Sequence, residues 1–343
     1  MQAIVSLKEG DWVDETYLVT SKQVSTAKNG VTYLSIKLAD KTGEIDGRMW
    51  DNAEDVAGRF EREDFVRIKG AAANYQGAMQ VKIKTLEKVD DSRVDISNFL
   101  QTSLRNPDDM VKEIAAAAAG LTNPHLRQLM NAFLSDKQLM ETFKRTPAAK
   151  SLHHNYIGGL LEHVVELMAL CKDVAGNFTG IDTDLLMVGA FIHDIGKVRE
   201  LAVRKSIEYT TEGRLLGHIS MGYEMIAEKI DSIPGFPAEL AMLLKHIILS
   251  HHGEYEYGSP KRPKIPEAFI INYMDDLSAK LNNFQMTIKK ENVVEGGWTM
   301  FNKMHDRYLY RQSPYADSVG DERRETRDEG CGAKEATGKL PLD

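Results

Sequence analysis

The sequence predicts a multidomain chain, an N-terminal all-β barrel followed by an all-α helical bundle, and three observations carry that prediction. Between residues 11 and 89, apolar and polar residues alternate in short runs separated by Gly- and Asn-containing turns, which is the period of strands. From Pro107 onward the apolar residues return every three or four positions, the period of helices. Eight of the ten histidines fall between His153 and His252, inside that helical half, and packing alone does not explain such clustering. With 343 residues, 42% of them hydrophobic, the chain can fill two cores.

The strands come first, at 17–24, 32–40 and 44–50, with turns at 28–30 and 41–43. A short helix fits 52–60, and two more strands follow at 65–72 and 79–86. Residues 91–106 are polar and mixed and form a linker. Pro107, Asp108 and Asp109 then open a helix that runs through an alanine-rich stretch to Gly120. A second begins at Pro124 and carries Leu126, Leu129, Met130 and Phe133, and a third begins at Asp136 with Leu139, Met140 and Phe143. Leu160, Leu161, Val164, Leu167, Met168 and Cys171 make the apolar face of another, and His163 lies on that face, where a solvated histidine is out of place. Asp182 caps a helix whose apolar body runs into Phe191-Ile192-His193-Asp194-Ile195-Gly196-Lys197. The expected organisation is therefore a barrel over 1–90, a linker over 91–106, a helical domain over 107–312 and a tail over 313–343. The tail has almost no apolar residues and is expected to be disordered.

Composition narrows the chemistry. Two cysteines, Cys171 in a helical pattern and Cys331 in the tail, argue against a disulfide framework and a cysteine zinc site, so the expected metal ligands are His and carboxylate. No apolar run reaches bilayer length and no signal-peptide pattern opens the chain, which places the expected protein in the cytoplasm, away from membranes. A formal net charge of −8 makes no global case for nucleic-acid binding, so a basic surface has to be local. Oligomeric state is not legible, and a homo-oligomer stays open.

Three strands, a helix and two strands are the layout of an OB-fold, a small Greek-key barrel that binds single strands on one face. The runs "LADKTGEIDGRMWD" and "VRIKGAAANYQGAMQVKI" resemble hairpins of the nucleic-acid-binding OB domains of aminoacyl-tRNA synthetases and replication proteins. On such a barrel Tyr33, Trp50 and Tyr75 would stack on bases, and Lys37, Arg48, Lys82 and Lys84 would follow phosphates. The competing account puts Tyr33 and Trp50 in the barrel core and leaves the cations as strand solvation.

In the helical half, a neutral imidazole beside a carboxylate at His193-Asp194 suits a divalent cation, although a bare doublet also fits a hydrogen-bonded helix end. The order His163, His193-Asp194, Lys197, His218, His251-His252 and Asp275, in the phrases "GGLLEH", "HDIGK", "GH", "SHHG" and "DDLSAK", resembles the HD superfamily of metal-dependent phosphohydrolases. That resemblance implies a first metal on His163, His193, Asp194 and Asp275, with Asp194 bridging to a second on His218, His251 and His252. It also implies that Lys197 contacts a phosphate, which makes Asp194 and Lys197 the catalytic pair. Mixed His and carboxylate ligation suits Mn, Co, Fe or Zn better than Mg. His154 and His246 stand outside this ligand set, and the block Ser259-Pro260-Lys261-Arg262-Pro263-Lys264 is either a solvated loop or a phosphate-guiding lip.

An OB-fold barrel before an all-α HD domain, together with "HHNYIGGLLEH" and "LSHHGEYEYGSPKRPKIPEA", resembles the YhaM-type 3'-to-5' exoribonucleases. The resemblance implies a divalent-metal-dependent exonuclease on single-stranded RNA, and on single-stranded DNA as a further substrate, releasing nucleoside 5'-monophosphates. The alternative is an HD phosphohydrolase acting on a free nucleotide or cyclic dinucleotide.

Overall fold

The computed structural model describes residues 2–27, 30–75, 77–150, 154–290, 297–303 and 305–310. The expectations for the turn at Lys28-Asn29, for His153, for Cys331 and for the tail over 313–343 lie outside those residues.

Five strands close a barrel in the order β1-β2-β3-β5-β4: β1 (Trp12–Thr26), β2 (Thr32–Asp40), β3 (Gly43–Met49), β4 (Phe65–Tyr75) and β5 (Ala78–Val89). The alternation read in the sequence decides which side chains point inward. Leu34, Ile36 and Leu38 on β2, Val81 and Ile83 on β5 and Val66 and Ile68 on β4 are all buried in one core. The short helix α1 (Ala53–Ala57) and Phe60 pack into the same core. Pairing is antiparallel except between β3 and β5, which run parallel, as a Greek-key closure requires. β1 is longer than the sequence pattern indicated and begins at Trp12, whose neighbour Val13 is fully buried while Trp12 faces outward.

Residues 91–106 are polar in composition yet ordered. Two turns of 3-10 helix carry Phe99 onto Phe65 of the barrel, ring centres 4.8 Å apart.

The helical region contains α2 (Pro107–Ala119), α3 (Pro124–Leu134), α4 (Lys137–Phe143), α5 (Gly159–Ala175), α6 (Thr183–Ile192) and α7 (Lys197–Glu200). A small hairpin follows, β6 (Leu201–Val203) with β7 (Ile207–Tyr209), a departure from a purely helical domain. The region ends with α8 (Thr211–Asp231), α9 (Ala238–Ser250) and α10 (Pro266–Lys290). Asn106, Asn123, Asp136 and Asp182 each accept backbone N–H groups at a helix start, the capping role their side chains are suited to. α6 is almost wholly buried and sits at the centre of the core, between α5, α9 and α10. No helix among the described residues is long and apolar enough to cross a membrane.

By backbone contacts the chain divides into Met1–Lys280 and Leu281–Asp343. Within the second, Thr299 and Leu309 are bonded through their backbones, and the rings of Trp298 and Tyr310 lie 5.0 Å apart.

Candidate metal centre and nucleic-acid interface

Five helices deliver the polar side chains to one place. His163 comes from the first turns of α5, His193 and Asp194 from the end of α6, His251 and His252 from the end of α9, and Asp275 from α10. His163, His193, Asp194 and His251 are all buried. His218 belongs to α8 at a kink, where Gly217 leaves helical geometry with φ +72° and turns the imidazole inward. Two ligand groups result: His163, His193 and Asp194 in one, and Asp194, His218, His251 and His252 in the other, with donor atoms within 4.8 Å of one another in each. Asp194 is common to both. Asp275 joins the first group, its Oδ1 lying 3.1 Å from His163 Nε2 and 4.0 Å from His193 Nε2.

The surroundings fix how each ring is presented. His193 Nδ1–H donates to the Ala190 carbonyl at 2.8 Å, His251 Nδ1–H to Ile248 O at 2.8 Å, and His252 Nδ1–H to Tyr257 O at 2.9 Å. His218 Nδ1–H donates to Glu200 Oε1 at 3.0 Å, and Glu200 also accepts the His218 backbone N–H. With the proton held on Nδ1, every Nε2 turns a lone pair to the centre, which is how metal-binding histidines are oriented. His193 Nε2, His251 Nε2 and Asp194 Oδ1 are buried there with no hydrogen bond of proper geometry. Two Nε2 atoms, of His218 and His252, face each other at 3.3 Å. Acceptors crowded together in a dry site repel unless a cation lies between them, so the donor set fits a divalent metal pair.

Electrostatics agree with that fit. Burial pushes the imidazoles of His163, His251 and His252 down, toward the neutral form that binds metal. Burial opposes charge on His193 as well, but Asp194 outweighs it and raises that ring. Burial also works against ionising Asp194 and Asp275. Lys197 and His193 nevertheless hold Asp194 well below the usual carboxylate range, and His163 and His193 do the same for Asp275. Lys197 Nζ lies 2.5 Å from Asp194 Oδ2 and is itself nearly buried.

Of the histidines set aside, His154 stands behind His163 with ring centres 5.5 Å apart, and its Nδ1 meets the Tyr156 hydroxyl at 2.7 Å. His246 accepts the Lys264 backbone N–H and does not enter the centre. Asp276 turns to Lys280 and away from the ligands. Sequence reasoning missed Glu200, Ser278, which lies 3.3 Å from His163 Nδ1, and Asn272, whose side-chain amide holds the His251 carbonyl at 2.7 Å. The Gly253 turn after the histidine pair has φ +79°, and a Cβ there would come within 2.5 Å of Asn272.

On the barrel, the proposed stacking residues lie on the outer surface. Trp50 is 47% exposed, stands 4.7 Å from Tyr33, and Arg48 lies over the Tyr33 ring at 5.2 Å. The core account of Tyr33 and Trp50 is therefore replaced by a surface one. Register puts Arg48, Lys82, Ala71 and Trp12 side by side across β3, β5, β4 and β1, so all four project from one face. Lys84, two residues on, covers the Trp12 ring at 5.2 Å. Trp12 was missing from the sequence-derived set, and its signal was the alternation with buried Val13. Tyr75 is exposed, and Lys37 is exposed within 3.8 Å of Glu44.

Residues 160–280 match the HD domain, and residues 18–89 match an OB-fold nucleic acid binding domain. The chain carries an OB-fold domain followed by an HD domain. The HD domain is that of a metal-dependent phosphohydrolase, and its pairing with an OB-fold domain supports a hydrolase that acts on nucleic acid. Among solved structures, the second OB-fold domain of replication protein A from Methanococcus maripaludis is 18% identical. That match covers 25% of this chain and 92% of the other, with a TM-score of 0.22. A replication protein A heterotrimer bound to single-stranded DNA is 20% identical, with 25% of this chain and 63% of that one covered and a TM-score of 0.20. The match thus spans less than two thirds of the latter.

Proposed function

We propose that this protein is a 3'-to-5' exonuclease of the YhaM type, acting on single-stranded RNA, and on single-stranded DNA as a further substrate, and releasing nucleoside 5'-monophosphates. The observation that carries the reading is the shared Asp194, which joins two histidine groups into one centre able to hold two cations. His163, His193, Asp194 and Asp275 would hold one ion, and Asp194, His218, His251 and His252 the other. When bound, such ions supply Lewis acidity toward a phosphoryl oxygen and a nucleophile at neutral pH. His and carboxylate donors favour Mn, Fe, Co or Zn over Mg.

The chain's own groups do the rest. Nδ1–H bonds to backbone carbonyls keep the imidazoles of His193, His251 and His252 from rotating, so the ligand geometry is set before substrate arrives. Lys197 keeps its positive charge beside Asp194 and offers it to a non-bridging phosphate oxygen. The outer face of the barrel, with Tyr33, Trp50 and Trp12 interleaved with Arg48, Lys82 and Lys84, offers bases a stacking surface and phosphates a row of cations. Polarity and product rest on the likeness of "HHNYIGGLLEH" and "LSHHGEYEYGSPKRPKIPEA" to the exoribonucleases.

The test is incubation of 5'-labelled single-stranded RNA and DNA with the chelated protein reloaded with each metal in turn. A ladder shortening from the 3' end with 5'-monophosphate products is expected with Mn or Co. Turnover of mononucleotides or cyclic dinucleotides with no gain from longer strands would replace this reading by that of a small-nucleotide phosphohydrolase.

A further inference from the structure

Helix α9 has two working faces. Leu244, Ile247, Ile248 and His251 turn to the core and the metal centre. Met242, Lys245, His246 and Leu249, spaced three and four apart on another face, line a separate cavity of about 670 Å³ together with α8 and the loop after the histidine pair. His246 and His251 are five residues apart, a rotation of roughly 140° about the helix axis, so the cavity and the metal centre open from different sides.

The cavity has two kinds of wall. Tyr223, Phe236, Met242 and Leu249 give it an apolar and aromatic side. Lys245, Lys261 and Lys264 border it, and among the described residues none of the three forms an ion pair. Arg262, between the two loop lysines, turns instead to Glu254. Among the described residues, Asp231 is the one carboxylate in the lining. His246 adds no charge, because its Nε2 accepts the Lys264 N–H at 2.9 Å, and burial followed by Lys264 lowers its pKa. The loop is held in place, with Lys261 N–H on the Leu249 carbonyl and Ser259 Oγ–H on the Lys261 carbonyl at 2.7 Å. Three ammonium groups without an ion pair among the described residues, one of them, Lys245, resting 5.3 Å over the Tyr223 ring, surround one concavity in a chain of net charge −8 and mark a place for an anion. The aromatic wall adds a surface for a flat ring, and the volume lies within the range of small-ligand sites.

We infer that this cavity binds a nucleoside phosphate, with Lys261, Lys264 and, once it leaves the Tyr223 ring, Lys245 on the phosphate, and with Phe236 and the Tyr223 face so freed against the base. The inference does not depend on the exonuclease reading, since it concerns binding at a site without metal ligands. The same chemistry is offered by a free nucleotide and by a nucleotide within a strand.

The experiment is equilibrium dialysis of labelled adenosine 5'-monophosphate against the full chain in excess chelator. One nucleotide per chain is expected, bound more tightly than inorganic phosphate. Affinity should fall roughly tenfold or more in K245A/K264A and stay unchanged in H193A. Displacement by a hexanucleotide would assign the cavity to the strand, and failure of displacement to free nucleotide; both keep the class of ligand. Absence of binding in chelator, equal affinity in K245A/K264A, or loss of binding in H193A would overturn the inference.

Discussion

Asp194 is the side chain on which both ligand groups depend, and its charge is what they share. Replacing it with Asn keeps the size and removes the charge that would bridge two cations. D194N should therefore lose bound metal and cut phosphodiester hydrolysis roughly a thousandfold or more, read by elemental analysis of the purified protein alongside kinetics. Retention of both metal and rate would remove Asp194 from the centre. Glu200 makes a different prediction, because it touches His218 and not the centre itself. E200Q keeps an oxygen that can accept both bonds but removes the negative charge behind them, and should weaken metal binding about 10- to 100-fold, measured by competition with a chelating dye. The candidate ligands His163, His193, Asp194, His218, His251, His252 and Asp275 were legible through the resemblance of their phrases to the HD superfamily, and the fold brings those side chains together. Glu200 was not legible, since nothing in Lys197-Val198-Arg199-Glu200 shows that α8 will bend back to place a backbone amide and a ring against one carboxylate.

At the scale of elements, the corner where α6, α7 and α8 meet decides whether the two ligand groups share a carboxylate. Gly196 makes that corner possible. A Cβ on it would lie 2.0 Å from the His218 carbonyl oxygen and 2.6 Å from the Gly222 nitrogen, both backbone atoms that no rotamer change can move. G196A should push α8 outward, lower stability by about 1–3 kcal/mol and weaken the group containing His218 more than the group containing His163. Thermal unfolding and a two-phase metal titration report the two effects separately, and an unchanged second phase would show that α8 had not moved. Helices with a clear start and stop, such as Pro107–Ala119 opened by Pro107-Asp108-Asp109 and ended at Gly120, were readable from the sequence, while its Asn106 cap was taken for linker. The β6–β7 hairpin and the Gly217 kink were not, because three-residue strands carry too little pattern and a lone glycine inside a helical period has no fixed meaning.

At the scale of the whole molecule, Asp64 of the barrel is tied to the helical region. It pairs with Lys88 of the barrel at 2.7 Å and with Lys205 of the β6–β7 turn at 3.1 Å, while Lys205 also reaches Asp91. Burial opposes its ionisation, but Lys88, the Glu61 N–H and Lys205 win and bring it down to about 2. A carboxylate with a depressed folded pKa stabilises above its unfolded value, near 3.9, and loses that contribution as pH falls through about 2. D64N should thus be less stable than the parent at pH 7 by about 1 kcal/mol, after allowance for solvent screening, and the gap should narrow between pH 4 and pH 2 in denaturant melts. The same contacts, with Phe99 on Phe65, make deletion of the barrel a poor test of its role, because removal uncovers surface that the helical region normally shares. Point changes on the outer face avoid this, since Trp50 and Lys82 are exposed and fill no core. Base stacking is worth about 1–3 kcal/mol per base, so W50A/K82A should raise KM on a twenty-nucleotide strand by roughly tenfold or more. Cleavage of a dinucleotide should change little. Equal losses on both substrates would mean that the barrel acts through the fold and not through the strand, and no loss on either would take this face out of substrate binding.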